Sequence, residues 1–379
     1  MKVPILDLKA QYKEIRDDIS KALDRVLESQ RFILGGEVES LEAAIAQRLR
    51  VKHAVGVASG TDALLLSLKA AGVGHGDEVI TTPFTFFATA GAIWNLGAKP
   101  VFVDIAPATF NLNPELVRAK VTPKTKAAIT VHLFGQCANM EPLLDLAEDR
   151  GFAVIEDAAQ AVGATRRLEK SAGRLSGGTH AAGTMGLAGT LSFFPSKNLG
   201  AYGDGGMVLT QDDEIGDRIR LLRVHGSRPK YYHKIVGFNS RLDAIQAAVL
   251  SAKLAHLDRW TQGRCQKAQA YDKFFESSPV VTPAIERGNS HIFHQYTIRV
   301  ARRDDLRAHL ASKDIGTEIY YPVPLHLQEC FRSLGYKQGD MPESERAARE
   351  CLSLPVYPEL TADQQEYVAS TVLEFVNRG

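Results

Sequence analysis

Apolar positions along this chain gather into short runs, and amphipathic stretches separate them. Residues 38–49 carry Val38, Leu41, Ile45 and Leu49, a spacing that places all four on one face of a helix. The run Ala54-Val55-Gly56-Val57-Ala58-Ser59 then reads as a buried strand, and Ala63-Leu64-Leu65-Leu66-Ser67-Leu68 opens a second helix. Further strand-like runs recur at 78–83, 100–105, 127–133, 153–157, 190–194 and 207–210, with helical patterns between several of them. One helix start is well marked, because Asn113 can cap it with Pro114 in the first position. Strands alternating with helices predict an α/β fold with a mostly parallel sheet covered on both faces.

The alternation fades after about residue 250. A long helix with a polar face is expected over 241–260, followed by a strand at 295–300, a helix at 304–313, a second strand near 318–321 and two terminal helices. This pattern predicts a large domain over 1–255 and a smaller α+β domain over 256–379, although no Pro/Gly/Ser linker marks the join. One composition shift stands out: residues 171–190 are rich in Gly, Ala, Ser and Thr and read as a mobile loop.

Composition narrows the function classes. With 379 residues, 45% hydrophobic and 23% charged, the chain can bury a large core. Its net charge of +1 comes without a basic stripe, which argues against nucleic acid or an anionic membrane as a partner. Cys137, Cys265, Cys330 and Cys351 are widely spread, with no CxxC spacing, so free thiols are expected rather than disulfides or a metal site. The segment Met1-Lys2-Val3-Pro4-Ile5-Leu6-Asp7 has no apolar signal core, and no run approaches membrane-spanning length. These features lead to the expectation of a cytoplasmic protein.

Two residues carry the strongest chemical signal. Lys197 sits in Ser192-Phe193-Phe194-Pro195-Ser196-Lys197-Asn198-Leu199-Gly200, among aromatic residues and the glycines Gly200, Gly203, Gly205 and Gly206. An apolar, tight-backbone setting lowers a lysine pKa, and the neutral amine is the nucleophile. Asp157 ends the run Ala153-Val154-Ile155-Glu156-Asp157, and active-site groups of α/β sheets sit at the carboxyl ends of strands. A lysine that binds pyridoxal phosphate (PLP) needs a carboxylate elsewhere to keep the pyridinium nitrogen protonated. Alone, Asp157 reads equally as a cap or an ion-pair partner, and most lysines are solvated.

Three weaker signals surround this pair. Gly60-Thr61-Asp62 opens a helix directly after a strand, where backbone N–H groups and the helix dipole suit a phosphate; by itself it is more often only a turn. Ser192 could reach the same phosphate. Phe84-Thr85-Phe86-Phe87 follows another strand and could stack on a flat ring, although such clusters are more often core.

Together these segments resemble the DegT/DnrJ/EryC1/StrS family of PLP-dependent nucleotide-sugar aminotransferases, within fold type I of PLP enzymes. The resemblance covers almost the whole chain and follows the family's order. It rests also on Phe32-Ile33-Leu34-Gly35, His132-Leu133-Phe134-Gly135-Gln136, Glu156-Asp157-Ala158-Ala159-Gln160 and Gly237-Phe238-Asn239-Ser240-Arg241-Leu242-Asp243. Tyr320-Tyr321-Pro322-Val323-Pro324-Leu325-His326 and Leu352-Ser353-Leu354-Pro355 complete it.

The resemblance implies roles. Lys197 is the Schiff-base lysine and proton shuttle, Asp157 pairs with the pyridinium nitrogen, and Gln160 contacts the ring hydroxyl. Phe86 stacks on the ring, while Gly60, Thr61 and Ser192 hold the phosphate. Asn239 reaches the phosphate of the other subunit, which implies a homodimer with shared active sites. Tyr321, His326, His294 and Tyr296 are candidates for the nucleotide-sugar. The implied amino donor is L-glutamate, and the acceptor is a dTDP- or UDP-linked keto-sugar. The region 231–243 is closest to members acting on 3-keto sugars, with 4-keto as the alternative. A pyridoxamine-phosphate-dependent dehydratase would have histidine in place of Lys197. A non-catalytic regulator of the same fold is a further alternative, whereas a nucleotide-binding oxidoreductase lacks its GxGxxG motif. The stretch 166–189 is longer and more glycine-rich than usual, and reads as a disordered hairpin or as a lid touching substrate.

Overall fold

The computed structural model describes residues 1–378. The elements run α1 (Leu8–Ser29), α2 (Gly36–Leu49), β1 (His53–Val57), α3 (Gly60–Ala70), β2 (Glu78–Thr81), α4 (Ala88–Asn95) and β3 (Lys99–Phe102). They continue with α5 (Pro114–Val117), β4 (Thr125–Val131), α6 (Glu141–Arg150), β5 (Ala153–Asp157), β6 (Thr165–Leu168), β7 (Gly178–Ala181), β8 (Ala188–Ser192) and β9 (Gly206–Thr210). The remainder is α7 (Asp213–Leu222), α8 (Ala244–Leu254), α9 (Leu257–Phe275), β10 (Tyr296–Arg299), α10 (Arg303–Ser312), α11 (Pro342–Glu350), β11 (Cys351–Leu354) and α12 (Ala362–Val376).

Seven strands form the central sheet in the order β1-β9-β8-β5-β4-β2-β3. Neighbours pair in parallel from β8 to β3, and β9 runs antiparallel to both of its neighbours. The buried sheet is covered on both faces by separate apolar clusters. One includes Val38, Leu41, Ile45 and Leu250, and the other Leu64, Leu68, Ile93 and Ile219. This is the α/β layering that the apolar periodicity predicts. Its geometric consequence is one shared edge, at which β1, β2, β4, β5 and β8 all end.

Several expectations are corrected. The chain begins with α1, which the pattern reading omitted. Asp7 caps it by accepting from the N–H groups of Lys9 and Ala10, both at 3.0 Å, and Ile15, Ile19, Ala22 and Val26 form its buried stripe. The long helix expected over 241–260 is two helices, α8 and α9, with a turn at Ala255–His256. The break lets Ala247 and Leu250 face the large core while Tyr271 and Phe275 enter a second one. The second small-domain strand is β11 rather than 318–321. Its buried Cys351–Leu354 pairs antiparallel with β10, and Glu318 makes only an isolated bridge to Ser353. Pro322 supplies no N–H to extend a ladder there. The second core also takes Val3, Phe84, Ile105 and Phe134, so residues from both halves of the chain build it.

The glycine-rich stretch is ordered by packing. Strands β6 and β7 pair as an antiparallel hairpin. Arg166 pins it, donating to Glu141 and Asn139 at 2.7 Å each. Beyond the hairpin the backbone passes so close to the sheet that side chains do not fit. A Cβ on Gly189 would lie 2.1 Å from the Gly183 carbonyl oxygen, and one on Gly186 would lie 2.4 Å from that of Val154. Gly189→Ala is therefore expected to cost about 3 kcal/mol or more of folding stability, measured by urea denaturation, because rigid backbone must move. A change below about 0.5 kcal/mol would contradict this packing.

Candidate active site

The shared strand edge gathers the candidate residues. Asp157 is the last residue of β5 and Ser192 the last of β8. Helix α3 starts at Gly60, directly after β1, and Ser59 caps it by accepting from the Asp62 N–H at 3.1 Å. Gly206 pairs with Val57 on one side and Ser192 on the other, which brings the ends of β1 and β8 together. The approach is tight: a Cβ on Gly60 would lie 2.7 Å from Ser192 Cβ, and one on Gly206 would lie 2.3 Å from the Ser59 carbonyl. The result is a narrow cradle of first-turn N–H groups and the Ser192 hydroxyl, which suits a small anion.

Asp157 is 6% exposed. Its carboxylate accepts from Thr89 Oγ1 at 2.9 Å and from the Ala159 N–H at 3.2 Å. Burial raises its pKa, and the Thr89 and Ala159 hydrogen bonds, Lys197 and His132 oppose the rise. Burial brings the Lys197 ammonium down to about 8, and the negative charge of Asp157 pulls the other way. Each charge therefore favours the other in a setting that disfavours both. Lys197 is carried by a closed loop, in which its N–H donates to the Phe194 carbonyl at 2.8 Å and the Ala201 N–H to that of Phe193 at 2.8 Å.

Phe86 lies in the loop after β2 and is 58% exposed, so its ring is open for stacking. Tyr321 comes within 6.3 Å of it, centroid to centroid. Gln160 is engaged at both ends: Oε1 accepts from the Phe134 N–H at 2.7 Å and Nε2 donates to the Tyr321 hydroxyl at 3.1 Å. Burial, reinforced by Asp157 and opposed by the Gln160 bond, raises the Tyr321 pKa, so its phenol stays neutral.

His294 is buried, and its Nδ1 lies 3.0 Å from Oδ1 of Asn198, the residue after Lys197. Burial, Lys197 and Arg264 hold its pKa well below the ordinary imidazole range. Two candidates are not brought to this cluster. His326 is 1% exposed, with its Nε2 3.2 Å from Glu345, in a single turn beside the apolar group of Leu325 and Phe331. Tyr296 lies in β10, where its hydroxyl donates to Asp272 at 2.6 Å inside the second core. Asn239 is exposed, and its backbone bridges to Val224. The adjacent Ser240 hydroxyl accepts from the Ala58 N–H at 3.3 Å, which sets this segment beside the β1–α3 turn.

The sequence reading missed Thr89 and Glu156. Thr89 stands eight residues after the end of β2, and only the folded structure points its hydroxyl at Asp157. Glu156 is 0% exposed. Oε2 accepts from His132 Nε2 at 2.7 Å and the Gly183 N–H at 2.8 Å, and Oε1 accepts from the N–H groups of Met185 at 2.5 Å and Gly186 at 2.6 Å. The Ala138 N–H donates to His132 Nδ1 at 3.0 Å, so Nε2 carries the proton that Glu156 receives. The signal for Glu156 was a charged residue in a buried strand next to Asp157.

A family model for the DegT/DnrJ/EryC1/StrS aminotransferase family matches residues 13–373. The chain is 55% identical over 378 residues to a "pleiotropic regulatory protein" of Geobacillus stearothermophilus, covering 99% of each chain. It is 42% identical over 370 residues to the UDP-N-acetyl-3-dehydro-α-D-glucosamine 3-aminotransferase of Acidithiobacillus ferrooxidans, covering 98% of this chain and 97% of that one. The crystal structure of S. venezuelae DesV in complex with a ketimine intermediate superposes with a TM-score of 0.94 at 42% identity, covering 100% of this chain and 99% of that one. The fold and the lysine–aspartate pair define the class, an amino-group-transferring enzyme. The chain belongs to the DegT/DnrJ/EryC1/StrS aminotransferase family.

Two buried imidazoles give a pH prediction. Burial holds His291 at about 3, and His294 is also strongly depressed. The unfolded chain takes up protons at both as pH falls below about 6.5, whereas the folded chain does not. Their contribution to stability is thus intact above that pH and lost toward pH 3, by up to about 1.4 kcal/mol per pH unit for each ring. In His291→Phe, the difference from wild type in urea unfolding should narrow by about that slope between pH 6 and pH 4. A constant difference would contradict a neutral, buried His291.

Proposed function

We propose that this aminotransferase moves an amino group from L-glutamate to the 3-keto position of a nucleotide-linked sugar, with PLP as its cofactor. The observation that carries the reading is the Asp157–Lys197 pair at the strand edge, beside the anion cradle of Gly60, Thr61 and Ser192. These residues fit the cofactor. The cradle matches a phosphate, the buried acid Asp157 matches a protonated ring nitrogen, and the exposed Phe86 face matches a planar ring.

Bound PLP supplies an electron sink and a carrier for the amino group. The protein's own groups do the rest. Asp157, held by Thr89 and Ala159, keeps the ring-nitrogen proton in place. Lys197, with a pKa near 8, would hold the cofactor and would move a proton to and from the donor's α-carbon near neutral pH. Gln160 and Tyr321 form one hydrogen-bonded unit that would contact the ring hydroxyl. His294 is a neutral group next to the Lys197 loop. Asn239 serves the neighbouring subunit's cradle in a homodimer. One site takes both substrates in turn, so kinetics are ping-pong.

The acceptor assignment has two supports. The Acidithiobacillus relative is named for a 3-keto UDP-sugar. The segment 218–242 holds Arg228, Lys230, Lys234 and Arg241 and no acidic residue, which suits a nucleotide diphosphate. The 4-keto position is the second reading. The regulatory name of the Geobacillus relative raises a non-catalytic role; the complete set of cofactor residues favours turnover. No described helix is long and apolar enough to cross a membrane.

The test is 2-oxoglutarate release from L-glutamate, with a panel of UDP- and dTDP-linked 3-keto and 4-keto sugars as acceptors. Amination of 3-keto members supports the proposal, exclusive use of 4-keto members shifts the ring position, and no turnover with any acceptor favours the regulatory reading. Lys197→Ala is expected to abolish transamination while leaving the far-UV circular dichroism unchanged. Asn239→Ala is expected to weaken PLP retention on dialysis; a change in sugar KM alone would contradict its phosphate role.

A further inference from the structure

Lys253 is a buried charge that the mechanism does not use. It lies in α8 and is 1% exposed. Its Nζ donates to the Gly200 carbonyl at 2.7 Å and stands 4.4 Å from the centre of the Tyr202 ring. Gln246, two helical turns earlier on the same face, holds the next residues: its Oε1 accepts from the Tyr202 N–H at 2.8 Å. Tyr12 of α1 packs edge-on against Tyr202 at 6.2 Å. Two helices therefore converge on residues 200–202.

Those residues close the loop that bears Lys197. Ala201 bonds back to Phe193, and a Cβ on Gly200 would lie 2.3 Å from the Pro195 carbonyl oxygen. The loop is folded tightly onto itself, with Lys197 between its two ends. A buried carbonyl at such a closure needs a donor. We propose that Lys253 is a positioning residue for catalysis, whose ammonium clasps the Gly200 carbonyl against the Tyr202 face and so fixes the Lys197 loop. Burial lowers Lys253 to about 8, and among the described residues no carboxylate offsets this cost, so a buried charge here is held against a penalty. Lys253→Met keeps the length and apolar stem and removes the donor.

The test compares wild type with Lys253→Met in the full chain by hydrogen exchange, with and without PLP, and by the pH dependence of Lys197 modification by an amine-reactive reagent in the PLP-free chain. Both readouts are independent of turnover, so they stand even if the substrate assignment fails. Exchange should rise about tenfold over 193–202 alone, and the Lys197 midpoint should move up by about one pH unit as the loop gains water. Gln246→Leu, which loosens the same loop two residues further on, should give a smaller change of the same kind. Unchanged exchange and midpoint, or a protection loss spread over the whole chain, would overturn the proposal. If Lys253→Met does not fold, Tyr202→Leu carries the same test, because it removes the ring that faces the ammonium; wild-type values there would overturn the clasp.

Discussion

The structure depends on bringing an acid and a lysine to one edge of a sheet, where surrounding protein disfavours either charge alone. Asp157 and Lys197 are each disfavoured by burial, and each is favoured by the other. Neither could be kept charged alone in that position without a large cost. The parallel strands supply the edge, since β5 and β8 end side by side and deliver the aspartate and the lysine loop to the same place. The lysine stays titratable near neutral pH, and the carboxylate stays bonded to Thr89 and Ala159 so that it cannot turn away.

Around that pair, backbone proximity does most of the positioning. Gly60 and Gly206 let the ends of β1, β8 and β9 touch, and Gly183, Gly186 and Gly189 let a turn close over β5. The turn in exchange gives three N–H groups to Glu156. Neighbouring carboxylates on β5 thus have separate tasks: Glu156 binds the fold on one face, and Asp157 serves the site on the other, as alternation along a strand requires. The glycine-rich stretch has regular structure of its own, since β6 and β7 pair within it. It is a pinned hairpin and a turn built around a buried anion.

The α/β layering and the candidate residues at the strand edge were legible in the sequence because both leave local marks. Strands buried on both faces show as apolar runs, and Asp157, Gly60 and Lys197 follow such runs directly. The features that escaped are those fixed by distant partners. Glu156 looks like any strand acid until the 183–186 backbone folds onto it. Lys253 reads as part of a polar helix face, yet Gly200 draws it inside. Helix α1 has an apolar stripe with residue spacings of three and four, a signal that was present and not read. Residues 318–321 look extended, but the ladder partner of β10 is Cys351–Leu354. His326 and Tyr296 carry polar groups suited to a sugar, and the fold pairs them with Glu345 and Asp272.

The central claim is that Lys197 and Asp157 are electrostatically coupled inside the fold. The most direct measurement is the pH midpoint of the Lys197 amine, followed by site-resolved chemical modification of the PLP-free chain in wild type and in Asp157→Asn. The account expects a midpoint of about 8 in wild type and a lower one in Asp157→Asn, because the carboxylate that favours the ammonium is gone. A wild-type midpoint near that of a free lysine, unchanged by the substitution, would contradict it.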